Sequence, residues 1–333
     1  MAPPRQRQSV AKERISVYMN SLRTQVYHDP LPRGVTSHGL RTIAWNPLGT
    51  LIATGAADKT LRVWNPEKNN ARNSTELKGH MAGIEKVAFN PVKEAELCSV
   101  SSDGVARFWD VKTKAVINEV KGLGDAFTLA WSPDGESLLV GNKTDNIFVL
   151  SPTSSTPLAS YQQPIQTNQI CFCYSGNKIF LTTGEGRVKI LSYPKFEPIF
   201  TTSYDSSTPF TLNGHTSSCL SIEMQPSGRY LATGGSDSIL ALWDTVDWHC
   251  MHTLIGMVGP VRSISFTFDG CYVVGGSDEG GNLEVSHTES GDTVYTIKTS
   301  GACPIVAWHP TRYSLAYIDL DQLKIMDIYP ERR

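Results

Sequence analysis

The chain has 333 residues, 40% hydrophobic, 9% aromatic and 19% charged, a composition that folds and is too apolar to stay disordered. Thirty Lys and Arg against 32 Asp and Glu leave a formal charge of -2, which excludes a polycation that coats nucleic acid or an anionic membrane. No uncharged apolar run approaches the ~18–20 residues that span a bilayer, so no membrane contact is expected.

At the start of the chain, residues 1–37 carry Arg5, Arg7, Lys12, Arg14, Arg23 and Arg33 against Glu13 and Asp29. That local +4 leaves the remaining 296 residues at -6, so any electrostatic contact with RNA favours the arm. The opening MAPPRQRQSVAKER lacks the apolar stretch of a secretory signal, and seven cysteines (98, 171, 173, 219, 250, 271, 303) show no framework spacing; a reducing compartment is expected. Within this basic N-terminal arm, residues 1–22, the positions Val10, Ile15, Met19 and Leu22 fall at roughly helical intervals and predict a short helix.

From residue 23 to 333 one unit repeats. Short apolar runs end at Trp45, Phe89, Trp131, Phe172, Met224, Phe266 and Trp308, in steps of 44, 42, 41, 52, 42 and 42 residues. Each anchor is followed by a turn (NPLGT, NPVKE, SPDGE, YSGNK, QPSGR, TFDGC, HPTRY) in which proline presets φ and Gly, Asp and Asn accept the tight geometry. Further alternating runs follow, such as LIATG then LRVWN, or YLATGG then LALWD, and period-2 alternation over four to six residues means strands. An all-β repeat of about 42 residues is the size of a four-stranded propeller blade, so seven anchors predict a seven-bladed β-propeller. The seventh unit ends near Ile328 on a third strand. The segment Arg23–His28, RTQVYH, is the expected donor of the missing outer strand, closing the ring and removing a bare edge. Residues 201–213 account for the 52-residue step, as a polar loop or an extended outer strand.

The motifs resemble the WD40-repeat family. Trp64-Asn65, Trp109-Asp110 and Trp243-Asp244 stand where that family has Trp-Asp, and Gly79-His80 and Gly214-His215 where it has Gly-His. Blades 3, 4, 6 and 7 lack the dipeptide. Blade 2 carries His80, Ser99, Asp103 and Trp109, and blade 5 carries His215, Thr233, Asp237 and Trp243. Ser, His and Asp together invite a hydrolase reading, but a triad is one site and this set recurs twice with identical spacings. A buried tetrad that locks strands together explains the recurrence, because every buried member needs its partner. Thr54, Asp58 and Trp64 repeat the spacing in blade 1, but His38 lies seven residues before its anchor where His80 and His215 lie nine before theirs, so only a partial tetrad is expected.

Other strings carry no chemistry. HCMH (His249, Cys250, His252) and CFC (Cys171, Cys173) lack the two spaced pairs of tetrahedral zinc, and the glycines of GEGR and GGSDEGGN open no helix on which a phosphate could rest. No catalytic residues, no metal, no cofactor and no small-molecule substrate are therefore expected. Binding should fall to the rim, where the residues four before each anchor ring the channel mouth: Arg41, Glu85, Phe127, Asn168 and Arg262, with Leu220 and Pro304. Arginine and aromatic side chains are types enriched in interface hot spots.

The strings WSPDGESLLVGNKTDNI, ILSYPKFEPI, SGRYLATGGSDSILALWD and VAWHPTRYSLAY narrow the resemblance to the WD40 subunits of the THO complex, the THO complex subunit 3 family, from about Gly34 to residue 329. The likeness implies a nuclear, non-enzymatic scaffold subunit of the THO (TREX) assembly, coupling transcription to mRNA packaging and export. Its implied partners are the large helical THO subunits, with RNA, the export helicase and the adaptor reached through the assembly. A WD40 substrate receptor of a cullin ubiquitin ligase, or a chromatin peptide reader, is the alternative. Such receptors carry Trp-Asp-x-Arg, whereas this chain has Trp109-Asp110-Val111-Lys112 and Trp243-Asp244-Thr245-Val246, without the arginine's planar fork.

Overall fold

A computed structural model describes residues 9–27, 37–67, 74–201 and 208–328. Seven four-stranded antiparallel sheets form the seven blades of a propeller. Their inner strands are Leu40–Trp45, Ile84–Phe89, Ala126–Trp131, Thr167–Phe172, Cys219–Met224, Val261–Phe266 and Val306–Trp308, each ending on an anchor residue read from the sequence. Blade 4 takes Thr211–Asn213 as its outer strand, which places the end of the long insertion; residues 202–207 lie outside the described set.

The ring closes through the N-terminus. The strand Arg23–Tyr27 pairs antiparallel with Gln322–Asp327, from Arg23 opposite Asp327 to Tyr27 opposite Leu323, and completes blade 7 as its outer strand. His28, the last residue of the expected donor segment, lies outside the described residues, as do Arg5, Arg7 and Arg33 of the basic arm. The helix α1 (Lys12–Ser21) precedes the closing strand and buries Ile15 and Met19, each 1% exposed, against Tyr272, Leu283, Ile297 and Tyr313 of blades 6 and 7.

The core is seven slabs, one in each seam between neighbouring blades. Ala53, Leu61, Val87 and Trp109 fill the seam of blades 1 and 2; Tyr27, Trp64, Ile318 and Ile325 fill that of blades 7 and 1, so the closing strand contributes core as well as an edge. Polar stitches cross the same seams. The residue after the anchor sends a side-chain N–H to a turn carbonyl of the next blade: Asn46 to Glu94 (3.4 Å), Asn90 to Gly135 (2.9 Å), Gln225 to Gly270 (2.8 Å) and His309 to Gly49 (2.8 Å). His309 is 3% exposed, and because its Nδ1 accepts from Thr311 N its Nε2 carries the proton, so the last seam is tied by a buried, satisfied imidazole. Ser132, Cys173 and Thr267 occupy the same position in blades 3, 4 and 6, and Ser132 and Thr267 bond within their own turns instead.

Deletion of residues 1–27 removes a five-residue ladder and the two helix side chains from the core, leaving Gln322–Asp327 as a bare edge. A fall of at least 10 °C in thermal midpoint, or aggregation on purification, is expected by calorimetry and size-exclusion chromatography; an unchanged midpoint would mean that the ring does not depend on this strand.

Candidate functional site

Hydrogen bonds link the full tetrad in two blades. In blade 2, Trp109 Nε1 donates to Ser99 Oγ (2.8 Å), Ser99 Oγ meets His80 Nε2 (2.7 Å) and His80 Nδ1 meets Asp103 (3.2 Å). In blade 5 the same path runs Trp243, Thr233, His215, Asp237 at 2.9, 2.8 and 3.1 Å. The carboxylates also accept the backbone N–H of Met81 and of Thr216, both at 2.9 Å, which ties the loop after the histidine to the turn bearing the aspartate. Burial opposes ionisation of both aspartates, but these backbone bonds and the histidines outweigh it and hold the carboxyls below their ordinary range. Burial and Arg107 hold His80 below its ordinary value against the pull of Asp103, which keeps the imidazole neutral at pH 7. The glycine before the blade 5 histidine is required by packing: a Cβ on Gly214 would lie 2.3 Å from the Trp243 ring, against 3.1 Å from Gly79 to the Trp109 ring in blade 2.

Blade 1 is incomplete. His38 Nδ1 meets Asp58 (2.6 Å) and Trp64 Nε1 donates to Thr54 Oγ1 (3.2 Å), but His38 Nε2 is buried without a partner, so the link between the two halves is missing. The shorter spacing from His38 to its anchor explains the break. None of these serine, threonine and histidine groups lines the cavity at the channel mouth.

That cavity, of about 550 Å³, is lined by all seven of the residues found four before the anchors, Leu220 and Pro304 included. The device that aims them is a register shift between the first and second strands in six blades, spanning this position each time: Leu40/Thr42, Ile84/Lys86, Ala126/Thr128, Thr167/Ile170, Cys219/Ser221 and Val261/Ser263. A bulge turns one side chain out of the ladder, here over the mouth. Arg41 pairs with Glu85 of the next blade, and Arg262 Nε pairs with Asp278 at 2.5 Å. The two rim arginines are thus presented as neutralised pairs. Asn168 donates to the Cys219 carbonyl at 2.8 Å, and Phe127 is partly exposed in the wall.

Two charged residues inside the ring escaped the sequence reading. One before the anchor, six blades carry Ala44, Ala88, Ala130, Cys171, Ser265 and Ala307, all small, whereas blade 5 carries Glu223. Burial pushes this carboxyl up to about 7, against the opposing pull of Lys86. Lys86, from the inner strand of blade 2, is itself drawn below its ordinary value by burial, with Glu223 opposing. The signal was available as a break in the column of aligned repeats; only the ring shows that Lys86 and Glu223 act on each other.

HCMH and CFC serve as local hydrogen-bonding groups, Cys173 Sγ accepting from Lys178 N at 3.2 Å. His252 Nε2 bonds the Glu289 carbonyl (3.0 Å), all seven cysteines are free, and the described residues contain no group of three or more His, Cys, Asp or Glu suited to a metal. No helix among them is long and apolar enough to cross a membrane. At the end of blade 2, Lys112 is held by Glu94 at 2.5 Å, where the receptor pattern would place an arginine.

Residues 31–65, 72–110, 199–244 and 248–280 match the WD domain, G-beta repeat family. THO complex subunit 3 of Arabidopsis thaliana is 32% identical over 285 residues, covering 85% of this chain and 87% of that protein. The chain belongs to the THO complex subunit 3 family. WD repeat-containing protein AAC3 of Dictyostelium discoideum is 33% identical over 83% of this chain, which spans 60% of that longer protein. The β-propeller domain of Cps50 (Swd1) from Myceliophteria thermophila superposes with a TM-score of 0.76 over 90% of this chain and 100% of that one, at 17% identity, a likeness of fold alone. Within the THO complex subunit 3 family the WD40 repeats therefore form a seven-bladed ring in this member.

Substitutions at the tetrads and at Glu223 separate lock from lumen. Asp103→Ala or Asp237→Ala orphans a histidine and a backbone N–H, and chemical denaturation should show a loss of ~1–3 kcal/mol; unchanged stability would remove the tetrads from the list of locks. Glu223 has a folded pKa raised from 4.5 to about 7, so the folded state holds a proton that the unfolded state releases between those values. Its charge therefore costs nothing below pH 4.5 and costs stability increasingly as pH rises through 7. Glu223→Gln should match wild type at pH 4 and exceed it at pH 8, by at most about 3 kcal/mol; equal stability at both pH values would place the carboxyl in solvent.

Proposed function

We propose that the chain is a non-enzymatic interaction subunit of a nuclear THO complex, a ring on which the larger helical subunits dock, in the machinery that couples transcription to mRNA packaging and export. The observation that carries this reading is the 32% identity to THO complex subunit 3 across 85% of the chain. The docking face is the channel mouth, with Arg41, Glu85, Phe127, Asn168 and Arg262 as the partner-binding rim. Six bulges aim side chains at one opening, and the charge pairs there can exchange one partner for another on a docking protein. RNA, the export helicase and its adaptor are reached through the assembly. The -6 balance of residues 38–333 supports this division, because phosphate attraction requires net positive charge at the contact.

Affinity purification of the tagged chain, followed by mass spectrometry, should recover large THO subunits. Arg41→Ala combined with Arg262→Ala should lose at least tenfold of that recovery while circular dichroism and the thermal midpoint stay unchanged. Wild-type recovery by the double variant would move the docking face elsewhere on the ring, and recovery of a cullin adaptor without THO subunits would replace the reading with a ubiquitin-ligase receptor. The isolated propeller should bind single-stranded RNA only weakly at physiological salt, with a shallow dependence on ionic strength.

A further inference from the structure

The wall of the channel is built from a second column of residues, three before each anchor, and most of them are spent on holding blades together. Thr42 Oγ1 accepts from Val87 N (3.3 Å), Ser221 Oγ donates to the Val261 carbonyl (2.9 Å), and Ser263 Oγ donates to the Pro304 carbonyl (2.8 Å) and accepts from Val306 N (3.0 Å). In each case the side chain reaches the next blade.

Blades 2 and 3 break this use of the column, and the neighbouring blade 4 keeps it with only one end of its amide. In blade 2 the position is Lys86, an ammonium with no hydrogen bond and no carboxylate in ion-pair contact among the described residues; the carboxylate that acts on it, Glu223, belongs to blade 5. In blade 3 it is Thr128, only 2% exposed, whose Oγ1 is buried without a partner. In blade 4 it is Gln169, whose Oε1 accepts from Ile222 N (3.2 Å) and so turns its NH2 away from that bond, with no acceptor among the described residues. Lys86, Thr128 and Gln169 all line the cavity at the mouth. A buried hydroxyl left unmet is costly, and native proteins satisfy such groups; Lys86, half-buried beside it, adds an ammonium that burial already disfavours.

We propose that these three residues are a carboxylate-binding site, which receives an aspartate or glutamate side chain of a docking protein inserted through the mouth. This deepens the reading of the mouth as a docking face and rests on it. The site offers N⁺–H, O–H and N–H donors from three adjacent blades and no acceptor that must be satisfied in return, which suits a group that only accepts. The charge is right for one carboxylate. With Arg41 paired to Glu85 and Arg262 to Asp278, Lys86 is the cation of the lining that has no carboxylate in contact among the described residues, Glu223 acting on it only from a distance, so one inserted carboxylate supplies the missing contact.

The full chain can be tested with two libraries of acetylated, amidated nonapeptides, random except for a central Glu in one and a central Gln in the other, read by fluorescence anisotropy. The Glu library should bind at least tenfold more tightly. Lys86→Met should abolish that preference and Thr128→Val should reduce it several-fold, with the fold intact in both and the thermal midpoint of Thr128→Val at or above wild type because it removes an unsatisfied buried hydroxyl. Equal binding of the two libraries, or a preference that survives Lys86→Met, overturns the site. Single-stranded RNA that binds with higher affinity than the Glu library, and loses it in Lys86→Met, overturns the choice of a protein carboxylate. The peptide preference is measured without any other THO subunit, and recovery of THO subunits is measured on cell extracts. Failure of one therefore does not mimic failure of the other: wild type can recover the complex with no Glu preference, or show the preference and recover no THO subunit.

Discussion

A ring of sheets is stable only if its last sheet is finished, and in this chain the finishing strand comes from the other end of the sequence. Pairing of Arg23–Tyr27 with Gln322–Asp327 turns seven separable sheets into a closed object, since every seam then has two walls. The hydrophobic slabs, the polar stitches and the central channel all presuppose that closure. Tyr27 shows the coupling directly: as a strand residue it completes the blade 7 ladder, and as a core residue it packs edge-on to Trp64 of blade 1, with ring centroids 5.9 Å apart.

Repetition gives each blade the same places for polar groups, and the differences between blades decide what each place does. The residue after the anchor is a stitch where it is Asn, Gln or His and a local turn former where it is Ser or Thr, because only the longer side chains span the seam. The tetrad follows the same logic: blades 2 and 5 complete it, and blade 1 stops short because His38 sits two residues nearer its anchor than the others. Ser, His and Asp are held here as a strut from one strand to the next. The hydroxyl accepts the indole N–H and bonds the imidazole, and Ser99 and Thr233 are both fully buried.

Electrostatics divide the molecule by depth. At the rim, arginine and carboxylate pairs neutralise each other in partly solvated positions, where an exposed pair contributes little to stability and can be exchanged in binding. Inside, Lys86 and Glu223 are held apart in a wall otherwise lined by small or uncharged residues, and burial drives both toward their neutral forms. Of the two, Lys86 lines the cavity at the channel mouth and is therefore accessible from outside.

The sequence by itself determined the number of blades, the closing strand, the tetrads and the ring of mouth residues, since each depends on spacing along the chain, and a period of about 42 residues carries spacing without ambiguity. The family, too, was legible in strings such as LSYP and GNKTD. What only the tertiary structure decided depends on residues far apart in sequence. Arg41 and Glu85 are 44 residues apart and Lys86 and Glu223 more than a hundred, and no local pattern says that the first two meet or that the second two face one lumen. The bulges that aim the rim were equally hidden, because a register shift is a relation between two strands. So were the unmet donors of Lys86, Thr128 and Gln169: each residue is ordinary where it stands in the sequence, and its missing partner is a fact about the neighbouring blade.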